Sequence, residues 1–95
     1  MTTIEEYVQE IQEADNANYK SNYPNLPLPV YSMTIGKRFY KIIRNYIGQT
    51  SVHCFVDIAT GDIYKAATYN TPAKGVRGNL KNDKKPLLGY DFYRR

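Results

Sequence analysis

The run PNLPLP, residues 24–29, holds prolines at 24, 27 and 29, and it constrains the fold more than any other stretch. Proline fixes φ, lacks a backbone N–H and pushes the residue before it toward extended backbone. Neither a helix nor a central strand can run through this segment, so it must be an extended connector. It separates two parts of the chain whose patterning differs, within a length of 95 residues that supports one domain and one modest core.

Before the connector, TTIEEYVQEIQEA reads as an amphipathic helix. Ile4, Tyr7, Val8 and Ile11 recur at i, i+3, i+4 and i+7 and form one stripe. Thr3 followed by Glu6 has the spacing of a capping box, and the early glutamates suit the positive end of the helix dipole. The helix therefore starts at residue 3 or 4, within an acidic helical segment of residues 1–19. Its end is blurred by DNANYKSNY, whose Asn and Asp side chains compete with helical hydrogen bonds.

After the connector, placed at residues 20–29, the grammar becomes that of strands. VYSMTI, KRFYKIIRNY, SVHCFVDI and DIYKAATY are rich in β-branched and aromatic residues and are separated by Gly36, IGQT and ATG. The expected fold class is α+β: an N-terminal helix packed on a three- or four-stranded antiparallel β-meander over residues 30–70. Gly61, in the connection from Asp57 to Asp62, stands where a tight hairpin needs positive φ. Strict alternation in SVHCFVD puts Val52, Cys54 and Val56 on the core face and Ser51, His53, Phe55 and Asp57 on the other. Residues 71–95 read as a basic, glycine-containing segment leaving the sheet, with Pro72 able to open a short helix, and then a C-terminal tail. LLGYDFY reads there as a short edge strand or an anchored tail.

Charge is divided as unevenly as the patterning. Residues 1–19 carry Glu5, Glu6, Glu10, Glu13 and Asp15 and no cation, whereas the rest of the chain holds all 13 lysines and arginines against 4 acids, giving +4 overall. A basic body favours a polyanionic partner, or an acidic helix laid over part of a basic surface. Ten tyrosines, three phenylalanines and no tryptophan supply much of the apolar area. Such rings bury their bodies and keep a polar tip wet. Cys54 is the single cysteine, which excludes an internal disulfide. The absence of a long apolar run predicts no signal peptide and no membrane partner.

No catalytic constellation is expected. Ser51, His53 and Asp57 share one face of a strand and point out in parallel, whereas a triad must converge. One His and one Cys are too few for a structural zinc, and no metal site or cofactor is expected. Asp57 and Asp62 flank a turn, where aspartate ordinarily bonds backbone N–H groups.

Two stretches remain as binding candidates. In KGVRGN, Gly75 and Gly78 permit close backbone approach to a phosphate while Lys74, Arg77 and Lys81, with Lys65 just before, supply charge. Its glycine spacing is not that of a P-loop. The second stretch, Lys37, Arg38, Phe39, Tyr40 and Lys41 and then Arg44-Asn-Tyr46, interleaves cations and rings as a single-stranded nucleic acid platform does.

Phe39-Tyr-Lys-Ile-Ile43 and SVHCFVDIATGDIYKAATYNTPAKGVRGNL, within residues 39–80, resemble a family of small proteins of tailed bacteriophages with a pattern like FVD..TGDV.KAASW..PAKG.RGN. Tyr69 stands where that pattern has tryptophan. The resemblance implies a phage origin and a site of action in the host cytoplasm, and it carries over no catalytic residue. The expected function is accordingly that of a non-enzymatic phage accessory protein binding a phosphate-bearing partner, nucleic acid first. The alternatives are a protein-interaction module that inhibits or sequesters a host factor, and an oligomeric binder of nucleotide signals. A homo-oligomer is expected, because an exposed edge strand and many half-buried tyrosines favour self-association.

Overall fold

The computed structural model describes residues 2–81 and 85–88. One helix, α1 (Ile4–Asn22), packs on one face of a five-stranded antiparallel sheet, β1 (Val30–Ile35), β2 (Phe39–Tyr46), β3 (Gln49–Asp57), β4 (Asp62–Ala66) and β5 (Pro72–Asn79). The strands lie in sequence order, so the sheet is a simple meander with β1 and β5 as its edges.

The helix begins as its sequence dictates. Glu6 N–H donates to the Thr3 hydroxyl and Thr3 N–H donates to the Glu6 carboxylate, completing the capping box. It runs to Asn22 rather than 19, because Asn22 folds its amide back onto Asn18 and so joins the last turn instead of breaking it. Ile4, Tyr7 and Ile11 are buried against Tyr31, Ile42, Cys54, Val56, Ile63 and Leu80, with Val8 packed beside them. Each such aliphatic side chain removed from water stabilises the fold by about 1.5–3 kcal/mol.

The sheet holds five strands, not three or four, and it extends to residue 79. The segment expected to leave the sheet, or to open a short helix at Pro72, is itself the fifth strand, pairing Asp62 with Asn79, Ile63 with Gly78 and Tyr64 with Val76. An edge strand tolerates proline and glycine because one side of it donates to nothing. Irregular pairing near Arg77 and between Val76 and Pro72 absorbs the surplus residues, with Gly75 at φ 97°.

The hairpin joining β3 to β4 forms as the sequence predicts. Gly61 has φ 78°, its N–H bonds Asp57 C=O at 2.9 Å, and the Asp57 carboxylate accepts from Ala59 N–H at 2.8 Å and Thr60 N–H at 3.1 Å. Asp62 departs from that pattern. Its carboxylate reaches across to the Asn79 amide at 2.7 Å and ties β4 to the end of β5.

Of the tail, residues 85–88 are anchored: Tyr7 O–H donates to the Pro86 carbonyl, Leu87 packs on the core and Lys85 pairs with Glu10 at 3.1 Å. The remainder of the expected LLGYDFY strand lies outside the described residues. No helix among the described residues is long and apolar enough to cross a membrane.

Candidate functional site

Among the described residues, nothing forms a second layer on the face of the sheet opposite α1, yet that face is not simply polar. Register puts Phe39 and Lys41 of β2, Phe55 of β3 and Tyr64 of β4 on this one face, with Lys41 opposite Phe55 and Phe55 opposite Tyr64. The rings meet edge to face, Phe39 with Phe55 at 6.0 Å and with Tyr64 at 5.8 Å between centroids. That geometry matches the ring quadrupoles and is worth about 0.5–1.5 kcal/mol per pair beyond burial. Phe55 is only 3% exposed, although no helix among the described residues lies above it.

Cations cover what the rings leave open. The Lys41 ammonium stands 4.3 Å from the centroid of Tyr69 and 6.0 Å from that of Phe55, and it donates to the Asn70 side-chain oxygen at 3.1 Å. Arg38 lies 5.0 Å over Phe39 and pairs with Asp57 at 3.5 Å, with its own side chain 73% exposed. An ion pair that exposed adds little stability, so the guanidinium can exchange Asp57 for an incoming anion at small cost. The Asp57 carboxyl is held below the usual carboxylate range, first by Thr60 N–H and then by Ala59 N–H and Arg38, and it stays ionised at neutral pH. Lys37, Arg38, Phe39, Lys41, Phe55 and Asn70 together line a pocket of about 230 Å³. The arrangement can stack a planar group on exposed ring surface while cations meet an attached phosphate.

The structure divides the candidate residues into three groups. Lys37, Arg38 and Lys41 converge on the aromatic face just described. Lys74, Gly75, Arg77 and Gly78 lie along the edge strand β5, where Lys74 is exposed and a Cβ on Gly75 would meet open space. The Nε of Arg77 is buried with no hydrogen-bond partner among the described residues. Gly78 pairs with the core residue Ile63. Lys65 pairs with Cys54 on the helix side of the sheet, and Lys81 lines a separate pocket with Thr2, Thr3 and Asp57. KGVRGN thus does not form one phosphate cradle with Lys65 and Lys81.

Phe55, Tyr64 and Tyr69 were not among the candidate binding residues. The signal for the first two is present in the sequence: a tight turn between Asp57 and Asp62 sets Phe55 opposite Tyr64 once antiparallel register is counted back from it.

His53 corrects another expectation. Ile42 pairs with Cys54 and Ile43 with Val52, so His53 is the extra residue of a bulge in β3. A bulge breaks alternation, and His53 joins Cys54 on the helix side instead of opposing it. Its Nε2 lies 2.7 Å from the Leu87 carbonyl and its ring packs edge-on against Tyr31. It borders a pocket of about 390 Å³ that also includes Asp15, Tyr19, Tyr31 and Arg44.

This pocket is braced by a network within the protein. Tyr31 O–H donates to Asp15 at 2.7 Å, Arg44 Nε lies 3.5 Å from the same carboxylate, and Arg44 donates to the Tyr19 hydroxyl at 2.9 Å. Burial first, and the Asp15 hydrogen bond second, push the Tyr31 hydroxyl above its ordinary value. The groups satisfy one another and join the helix to β1 and β2. Among the described residues, no group of three His, Cys, Asp or Glu could hold a metal ion.

Residues 1–88 match the model of a family of unknown function, DUF7717. No curated protein and no solved structure matches the chain.

Proposed function

The chain belongs to the DUF7717 family, and we propose that it is a non-enzymatic phage accessory protein that binds single-stranded nucleic acid on the open face of its sheet, in the host cytoplasm. The observation that carries this reading is the placement of Lys41 between Tyr69 and Phe55, in a pocket that Lys37 and Arg38 complete. Tyr69 is half exposed at 50% and offers ring surface to a base. The cations stand where the phosphates on either side of a stacked base would pass. Single strands suit this face better than a duplex, whose bases are already stacked on one another.

The test is a titration with a labelled oligonucleotide at several salt concentrations. Three phosphate contacts, through Lys37, Arg38 and Lys41, give log K against log salt a slope of about −2 for a single strand. Tyr69→Ala should weaken binding by about 5- to 150-fold, the equivalent of 1–3 kcal/mol per stacked base. No binding to single-stranded DNA or RNA at low salt would overturn the proposal.

A further inference from the structure

The two edges of the sheet differ in what guards them, and the difference points to a second copy of this chain. Edge strand β5 carries Pro72, Lys74 and Arg77 and pairs irregularly with β4. These are devices that discourage a further strand from adding. Edge strand β1, VYSMTI, has no charge, no proline and no glycine, and its six residues pair with β2 without interruption.

Backbone hydrogen bonds fix which groups of β1 point away from the sheet. Gly36 N–H bonds the Phe39 carbonyl at 2.9 Å, inward, whereas Tyr31 N–H accepts no place in the β2 ladder and donates to the Gln12 side chain at 2.8 Å. In an antiparallel ladder each residue directs its N–H and C=O to the same side, and the side alternates. Tyr31, Met33 and Ile35 therefore face outward. Gln12 imitates a neighbouring strand at one end only, accepting from Tyr31 N–H and donating to the Pro29 carbonyl at 2.8 Å. Among the described residues, the Tyr31 C=O and both groups of Met33 and of Ile35 are left open.

We propose that β1 pairs antiparallel with β1 of a second copy, about a two-fold axis between their Met33 residues. The open groups are self-complementary in this register. Met33 N–H meets the Met33 C=O of the second copy, and Ile35 N–H meets its Tyr31 C=O, each twice by symmetry. The side chains agree with the backbone. Ile35, 69% exposed in one copy, comes opposite Tyr31 of the other, and Ser32 comes opposite Thr34, with no like charges facing. Opposite Tyr31 the Ile35 C=O of the second copy takes the place of the Gln12 side-chain oxygen, so Gln12 gives up the Tyr31 N–H when the strand adds.

A two-fold axis normal to the sheet keeps both helices on one side and both open faces on the other. The two β2 strands then stand three strand spacings apart, about 14 Å. The pairing depends on β1 alone and is independent of what the open face binds.

Sedimentation velocity over a hundredfold concentration range tests the pairing. The wild type should form a dimer of the 11.0 kDa chain. Ile35→Pro deletes an outward N–H at an exposed side chain and should give a monomer with an unchanged circular dichroism spectrum. Ile35→Lys retains that N–H but sets a charge against Tyr31 of the second copy, and it should do the same should the proline variant misfold. Loss of the dimer in either folded variant supports the proposal. A monomeric wild type, or a dimer retained by both variants, overturns it.

Discussion

The two faces of the sheet solve the same problem of burial by different means. Under α1 the sheet presents Ile42, Cys54, Val56 and Ile63, all fully buried beneath Tyr7 and Ile11. On the other side Phe55 is nearly as buried, but what shields it is the edges of Phe39 and Tyr64 and the Lys41 chain. The first face is closed by a second layer, and its buried side chains contribute stability. The second is closed, among the described residues, by side chains of the sheet itself, and the proposed function has a ligand displace them without unfolding the protein. A cation held on an aromatic ring within one chain is the arrangement a base and its phosphate would take over.

The sharpest way to break this contrast is to damage the covered face. Ile11→Ala should lower unfolding free energy by about 2–5 kcal/mol in a urea titration, because the side chain is fully buried and a cavity is left behind. Oligonucleotide affinity of the molecules that remain folded should not change. A loss of affinity in parallel with stability would mean that the two faces are not independent.

The hairpin joins the faces, since β3 and β4 each contribute to both. Gly61→Val places a β-branched residue at φ 78° and should cost on the order of 1–2 kcal/mol. The turn sets Val56 opposite Ile63 on one side and Phe55 opposite Tyr64 on the other. This variant should therefore reduce stability and affinity together, where Ile11→Ala reduces stability alone. Affinity left intact in Gly61→Val would show that the open face does not depend on that register.

What could be read in advance follows the range of the forces involved. The helix was legible because its stripe and its capping box are local, and the hairpin because one glycine reports it. Asp15 was not, for an acid four residues beyond Ile11 reads as solvated until Tyr31 and Arg44 arrive from other strands to satisfy it. His53 and the strand identity of β5 were hidden by irregular pairing, which exists only in relation to a partner strand. The cations of the open face were legible as a run from Lys37 to Lys41. Their meeting with Phe55, Tyr64 and Tyr69 was not, because it requires the register of three strands at once.

Acid provides a milder probe of the same hairpin. The folded-state values of Asp57 and Glu6 lie below the ordinary 3.8 and 4.5, held down by backbone N–H groups of Thr60 and Thr3 respectively. A depressed carboxylate stabilises the fold above its unfolded value and ceases to do so as pH falls through its folded value. Stability should thus be level near neutrality and decline from about pH 5 downward. Asp57→Asn should flatten part of that decline, which urea titrations at several pH values would measure; an unchanged slope would remove Asp57 from the account.

The smallest expected effect concerns KGVRGN, the glycine-containing binding candidate of the sequence. Lys74 is exposed on the edge strand and makes no contact with the aromatic pocket, whose cations are Lys37, Arg38 and Lys41. If the open face is the binding surface, Lys74 contributes only through the general field of the protein, which salt screens over about 10 Å at 0.1 M. Lys74→Ala should then weaken oligonucleotide binding by less than about threefold at 0.1 M salt, and it should leave the salt slope near that of the wild type. Lys41→Ala, one phosphate contact fewer, should reduce the magnitude of the slope by about 0.7. The opposite ranking, with Lys74 lowering the slope and Lys41 leaving it unchanged, would move the interface from the open face of the sheet to its β5 edge. The rings around Phe55 would then be a second small core.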